Sequence, residues 1–278
     1  MFNDPETAPE TAKTAGAGEV RRQGAPGALA AAAHLWVLDT GAFEQPGTAR
    51  PWLARLEPGE RDRYAAYRSS AARRDYLGTR ALARTALAHY SGRPVEDLHF
   101  AADGLGRPEL TSPSIPGLFF SCARTNRLAV ALFARECNVG VDVESVRASG
   151  IDEVAEQFFS PEEQAELAAL AAPEDTRRQA RFCELWTLRE AYLKARGVGL
   201  RLPLEQLSFR PDGSGGARAS FGPAIRDDPA HWQFGIVWLS DRQVVATCLR
   251  RPAAAAPMKV AVVEASTLVD GVPRARLA

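Results

Sequence analysis

Residues 139–144 read Val-Gly-Val-Asp-Val-Glu. Side chains of a strand point alternately to its two faces, so Val139, Val141 and Val143 take one side and Gly140, Asp142 and Glu144 the other. The two carboxylates then stand about 7 Å apart along one face, and Gly140 is expected to leave the space beside them open. Hard oxygen donors projecting into a cleft suit Mg²⁺, which keeps waters and is completed by substrate phosphates. Taken alone, the stretch reads more readily as a half-exposed strand with its charges in water. A second stretch, Phe182-Cys-Glu-Leu-Trp-Thr-Leu-Arg-Glu-Ala-Tyr-Leu-Lys194, has helical spacing. Trp186, Glu190 and Lys194 are four apart and share a face, with Arg189 adjacent. An ordinary i,i+4 pair of Glu190 with Lys194, worth a few tenths of a kcal/mol, explains the charges but not a Trp on the charged face.

Around these motifs the chain reads as two similar halves. Residues 1–30 are rich in Ala, Gly, Pro, Thr and Glu without apolar period and are expected to form a disordered tail. In the half spanning 31–138, His34–Asp39 reads as a strand. Helices follow after Pro58 and over Arg73–Tyr90, then a strand, Gly-rich turn and strand over DLHFAADGLGRPEL. A strand pair, Leu118–Cys122 and Arg127–Ala134, is placed around Ala123–Asn126. In the half spanning 139–278, which ends in a C-terminal extension, Val139–Glu144 is a strand. Ile151–Ala171 and Thr176–Arg196 are helices, and two hairpins follow around PDGSGG and Ser240-Asp241. Both halves suggest a β-α-α-β-β-β unit, and RLAVALFA (127–134) resembles RQVVATCL (242–249). The expected fold is α+β, a pseudo-twofold duplication with its site at the join of the halves.

The composition bounds the function. The 278 residues carry 34 Lys+Arg against 34 Asp+Glu, with 46% hydrophobic residues, which is globular and argues against a general nucleic-acid binder. No run approaches the roughly 20 apolar residues of a membrane span, and the N-terminus lacks a secretory pattern. Cys122, Cys137, Cys183 and Cys248 form no CxxC pair and read as buried thiols in a reducing, cytoplasmic setting. His34, His89, His99 and His231 lack metal-ligand spacing, and Trp232 and Trp238 read as core. Charge is nonetheless segregated: Arg50–Arg93 holds ten Arg and four acids, Glu136–Asp175 eleven acids and one Arg. Solvated helix faces account for that, or a cleft between a basic and an acidic half that takes a polyanion and a cation.

VGVDVE, followed some forty residues later by LWTLREAYLKARGVGL, resembles the 4'-phosphopantetheinyl transferases of the larger Sfp type. GLGRPEL and FFSPEEQAEL are similar to further stretches of that family, and the resemblance covers most of the chain from about His34. It implies transfer of the phosphopantetheinyl arm of coenzyme A to a serine of an acyl or peptidyl carrier protein, with release of 3',5'-ADP. It further implies Asp142, Glu144 and Glu190 as Mg²⁺ ligands, and Glu163 as general base. Arg189 and Lys194 would face the diphosphate, with Lys194 and Glu190 counted as catalytic. Arg107 would lie near the adenosine, Arg74 would contact coenzyme A, and Arg61 or Arg63 its 3'-phosphate. A monomer is expected, since one chain carries both halves of the site.

One departure stands out. The family's Ser-His pair, which helps hold the 3'-phosphate, is Ala123-Arg124 here. Arg124 can replace His with a permanent charge and a forked donor, whereas Ala123 cannot supply a hydroxyl, although Ser121 and Thr125 are close. Two alternatives remain open: a non-catalytic relative that binds coenzyme A or carrier protein, and a metal-dependent phosphohydrolase using the same carboxylates.

Overall fold

The second half is assembled around one long helix. A computed structural model describes Leu29 and residues 32–102, 104, 108–146, 149–170 and 176–265; the expected 1–30 tail otherwise lies outside the described residues. Helix α6 (Thr176–Arg196) lies across a five-stranded sheet ordered β6-β10-β9-β8-β7, from β6 (Val139–Ser145), β7 (Leu207–Pro211), β8 (Gly216–Phe221), β9 (Trp232–Ser240) and β10 (Gln243–Arg250). Gly197, with φ 69°, closes α6, its N–H bonding to the Leu193 carbonyl at 2.9 Å. The expected helix 151–171 is two helices, α4 (Ile151–Phe158) and α5 (Pro161–Ala169). Ser160 breaks it: its hydroxyl accepts from Glu163 N, Glu163 returns the bond to Ser160 N, and Pro161 occupies the first helical position.

The first half repeats the arrangement. β1 (Ala32–Asp39) is followed by α1 (Pro46–Ala54), α2 (Pro58–Ala66) and α3 (Ser70–Ser91). A two-stranded ribbon of β2 (His99–Ala102) and β3 (Pro108–Ser112) comes next, then β4 (Leu118–Thr125) and β5 (Leu128–Arg135). Ser69 caps α3 through Ala72 N, starting it three residues before the expected Arg73, and Gly92 ends it in the left-handed region. Among the described residues each half thus has its first strand, three helices and four further strands, one helix and one strand more than the unit expected. The equivalence is clearest in pairing: β5 joins β1 antiparallel as β10 joins β6, and β4 flanks β5 as β9 flanks β10. The similar segments RLAVALFA and RQVVATCL are β5 and β10. A last strand, β11 (Lys259–Glu264), crosses back and pairs parallel with β1, so the first sheet runs β11-β1-β5-β4.

Three apolar clusters follow. Trp36, Trp52, Leu77, Leu82 and Phe133 fill the first half under α3; Phe159, Phe182, Leu185, Leu188 and Tyr192 fill the second under α6. Between the halves, the opposite faces of the sheets meet through Leu35, Ala123, Val130, Leu132, Val141, Val143 and Val245. Each fully buried aliphatic or aromatic side chain is worth about 1.5–3 kcal/mol, so the join is itself a core. Two expectations shift. The β4–β5 turn lies at Asn126-Arg127, Arg127 having φ 61°, so Ala123, Arg124 and Thr125 are strand residues. Trp232 is buried, but Trp238, six residues along β9, emerges at the sheet margin and donates its indole N–H to Glu184 at 2.9 Å. All four cysteines are free thiols. Among the described residues no helix is long and apolar enough to cross a membrane.

Beneath α3, His34 Nδ1 is 2.8 Å from the Tyr90 hydroxyl, which also accepts from Trp36 Nε1 at 2.7 Å, and His34 Nε2 is buried without a partner among the described residues. Burial, and then the neighbouring His89, hold His34 below its usual 6.5; burial does the same to His89. The unfolded chain takes up these protons near pH 6.5 while the folded chain resists them, so stability is full above that pH and declines as pH falls through it. The urea midpoint should drop between pH 7.5 and 5.5, with a smaller drop in His34→Gln; an equal drop in both would place the proton uptake elsewhere.

Candidate active site

Gly140 decides where α6 can lie. A methyl group at this position would overlap the Ala191 carbonyl oxygen and stand 2.5 Å from Ala195 N. The space that the sequence suggested was left open for a ligand is therefore filled by the helix backbone. This close approach brings Asp142, on the same face of β6, up against α6. Lys194 donates from Nζ to Asp142 Oδ1 at 2.6 Å, while Asp142 Oδ2 is buried with no hydrogen-bond partner among the described residues. Glu190, one turn before Lys194, is close enough that burial and then the Asp142 charge both raise its carboxyl above the usual range. Burial raises Asp142 as well, against the pull of Lys194. Asp142, Glu190 and Lys194 are thus one charge cluster, and β6 is a buried strand rather than one with solvated charges. Glu144 lies two residues further along β6 and is half-buried. Among the described residues no three Asp, Glu, His or Cys side chains converge as a metal site. Trp186, unexplained by the sequence, packs on Phe158 and Phe159 at ring distances of 5.7 and 6.5 Å.

Arg189 and Glu163 lie elsewhere. Arg189 is fully buried and ion-paired with Glu163. Its guanidinium also donates to the carbonyls of Phe158, Leu185 and Leu207 and lies 4.1 Å over the Phe159 ring. Glu163 accepts from Phe209 N at 2.8 Å in addition to closing the Ser160 cap. Each guanidinium nitrogen and both carboxylate oxygens are hydrogen-bonded inside the second-half core. As placed, Arg189, expected at the diphosphate, and Glu163, expected as general base, face each other inside this core. One residue along a helix turns the side chain by roughly 100°, which is why Arg189 and Glu190 face different environments.

Lys194 forms one end of a cleft of about 550 Å³ between the halves. Ser121, Cys122, Phe119, Phe120, Leu110 and Arg196 are among its lining. Pro108 lines both this cleft and a second cavity of about 320 Å³ against α2 and α3, where Arg63, Tyr76 and Arg80 are found. Arg124 donates to the Tyr67 hydroxyl at 2.6 Å and stacks over the Tyr67 and Tyr76 rings at 5.3 and 5.5 Å. Arg80, which the sequence reading missed, is buried over the Tyr76 ring at 4.8 Å. Its Nε is 3.6 Å from Glu60, too long for a hydrogen bond, and its Nη1 has no partner among the described residues. Glu60 is taken by Arg84, at 2.6 Å. Burial alone would push the Tyr67 phenol up, but the hydrogen bond from Arg63 and the charges of Arg124 and Arg63 outweigh it and hold the phenol below its usual value. Cys122 lies between the two poles, within the field of both Arg80 and Lys194, yet burial pushes its thiol up to about 11, which keeps it protonated.

The other predicted cations divide. Arg63 belongs to this basic cluster. Arg61 instead folds back onto the carbonyls of Leu56 and Ala54, and Arg74 is held by Glu44 at 2.6 Å and Asp75 at 2.9 Å, so both are tied up locally. Arg107 lies outside the described residues. Arg80 could have been found from the sequence only by knowing that the helix face it shares with Arg84 and Tyr76 turns toward β4.

Gly140→Ala should lose about 1–3 kcal/mol or more by forcing α6 off β6, read as a lowered urea midpoint; an unchanged midpoint would refute the close packing. Glu163→Gln leaves a buried guanidinium without its counter-charge and should cost about 3–5 kcal/mol, seen in the same titration.

Comparison with known proteins identifies the family. A family model described as the 4'-phosphopantetheinyl transferase superfamily matches residues 138–248, from the start of β6 into β10. A 4'-phosphopantetheinyl transferase of Bacillus subtilis is 30% identical over 168 residues, covering 56% of this chain and 71% of that protein. The 4'-phosphopantetheinyl transferase psf-1 of Bacillus pumilus is 29% identical over 189 residues, 68% of this chain and 76% of its own. A solved holo-ACP-synthase from Plasmodium yoelii is 18% identical at a TM-score of 0.29, covering 41% of this chain and 92% of that one, too loose a superposition to bear on the fold. Asp142, Glu190 and Lys194 all fall inside the stretch matched by the family model, and on the strength of that match and these relatives the chain belongs to the 4'-phosphopantetheinyl transferase superfamily, as a member of the Sfp type.

Proposed function

We propose that this chain transfers the 4'-phosphopantetheine arm of coenzyme A to a serine hydroxyl of an apo acyl or peptidyl carrier protein and releases 3',5'-ADP. The observation that carries the reading is a pair of poles on the two halves, Lys194 lining one cleft and Arg63 and Arg80 a second cavity that shares Pro108 with it. Asp142, Glu190 and Lys194 stand on the second half, and Arg80, Arg124 and Arg63 on the first. Coenzyme A has a diphosphate and a separate 3'-phosphate, and the basic cluster suits the latter: Arg presents a forked donor to phosphate, and Arg80 has donors to spare. Lys194 is the cation for the diphosphate.

A divalent cation fits the acidic pole, since the buried Asp142 Oδ2 lacks a partner and its neighbour Glu190 is a second hard oxygen donor. Asp142 and Glu190, with Glu144 beyond them, would hold Mg²⁺. When bound it supplies neutralisation of the charge that builds on the departing ADP oxygen. The protein's own part is positioning: phosphoryl transfer asks for alignment and charge neutralisation more than covalent work. The serine oxygen forms the new bond to the pantetheine-side phosphorus as the bond from that phosphorus to ADP breaks, and the serine proton passes to a base. With Glu163 committed to Arg189, Glu190 and Glu144, the other carboxylates of the acidic pole, are the groups to accept it. One chain supplies both poles, which suits a monomer, and four free thiols suit the reducing cytoplasm.

Intact mass of an apo carrier protein incubated with the chain, coenzyme A and Mg²⁺, beside an EDTA control, tests the reading. A gain of one phosphopantetheinyl group that EDTA prevents is the expected result. Coenzyme A binding without gain on fatty-acid, polyketide or nonribosomal peptide carriers would favour the binding-only relative. Asp142→Asn should lower turnover by about two orders of magnitude or more. Arg124→Ala should raise KM for coenzyme A about tenfold, leaving that for 3'-dephospho-coenzyme A nearly unchanged. Folded Glu163→Gln should keep the acid limb of the pH–rate profile; loss of that limb would make Glu163 the base after all.

A further inference from the structure

The two poles sit on strands of different sheets. Arg124 is on β4, the edge of the first sheet, and Asp142 and Glu144 are on β6, the edge of the second. These edges pack side by side, but no backbone ladder joins them. Two side-chain contacts do. Val141 N–H, the amide preceding Asp142, donates to Ser121 Oγ at 3.2 Å, and the hydroxyls of Thr125 and Ser145 are 3.3 Å apart. The partners are separated by the same twenty residues and spaced four apart on each strand, so β4 and β6 run in the same direction in register. Alternation along β4 puts Ser121, Ala123 and Thr125 on one face and Cys122 and Arg124 on the other. Ala123 is buried in the join between the two contacts, whereas Arg124 turns to Tyr67 and Tyr76. The alanine at 123 is thus a seam residue, flanked by the hydroxyls that the strand does keep.

We propose that Ser121 and Thr125 are positioning residues, a two-point hydroxyl clasp that sets the spacing between the basic pole on β4 and the acidic pole on β6. The contacts bracket both poles: Ser121 bonds the residue before Asp142, Thr125 follows Arg124, and Ser145 follows Glu144. A ligand engaging both poles gains from the second only while the spacing matches its own, and a misplacement of about 1 Å is enough to weaken such a contact severely. The inference rests on the reading of the site as one for coenzyme A.

Affinities of coenzyme A and 3'-dephospho-coenzyme A, measured by calorimetry on the full chain, test it, because the second ligand lacks the group that meets the basic pole. The wild type should prefer coenzyme A by about tenfold or more. In Ser121→Ala/Thr125→Val the preference should collapse toward that of Arg124→Ala, with affinity for the dephospho compound within about twofold of wild type, and Ser121→Thr/Thr125→Ser should restore it. A role in stability alone would lower the urea midpoint and leave the preference intact, and that result overturns the clasp. A wild type that binds neither compound overturns the coenzyme A reading, and the clasp with it. A full preference retained by the double variant overturns the clasp and leaves that reading standing.

Discussion

The approach of α6 to β6 at Gly140 is the constraint on which the site depends. Any side chain there would meet the backbone of Ala191 and Ala195, and the helix would have to ride outward on it. Without that gap the Lys194 ammonium could not reach Asp142, and Glu190 would stand clear of the Asp142 charge. Val139, Val141 and Val143, on the other face of the same strand, pin it to the first half through the central apolar cluster. One seven-residue strand therefore fixes the helix on one side and the partner half on the other, and places its carboxylate between them.

Charged residues on α6 do two kinds of work that their sequence proximity conceals. Arg189 and Glu190 are neighbours, yet the first closes a fully buried ion pair that ties α4, α5, α6 and β7 together, and the second stands within the field of Asp142 and Lys194. A buried pair of this kind is costly to break because it strands a charge in a low-dielectric core, and it contributes rigidity to the helix that carries Glu190 and Lys194. Further along, Asp227 accepts from Tyr192, Arg196 and Trp232 and so anchors the C-terminal turn of α6.

The arginine-rich segment Arg50–Arg93 is neither wholly a binding surface nor wholly a solvated one. Arg55 pairs with Glu96, Arg74 with Glu44 and Asp75, Arg84 with Glu60, and Arg73 with the carbonyls of Tyr67 and Ala65. Toward the cavity lie Arg63, hydrogen-bonded to Tyr67, and Arg80, joined there by Arg124 from β4. Local pairing thus thins a large sequence excess of charge to a small cluster whose members stack on Tyr67 and Tyr76. Aromatic faces beneath a guanidinium favour it without neutralising it, which leaves the cluster available to an anion.

Sequence alone determined the α+β class, the duplication, the strand and helix carrying Asp142, Glu190 and Lys194, and the family, because these rest on local period and on a specific pair of motifs. Alternation along VGVDVE placed Val139, Val141 and Val143 inward without ambiguity, since the period of a strand is fixed. Tertiary structure decided what period cannot express. It filled the space at Gly140 with a helix, withdrew Arg189 and Glu163 into a core, tied Arg61 and Arg74 to local partners, and brought Arg80 to the cavity. It also extended β4 through Ala123, Arg124 and Thr125, which turned an apparent loss of a hydroxyl into a seam between two others. Local spacing says which residues share a face; only the packing of one element on another says what that face meets.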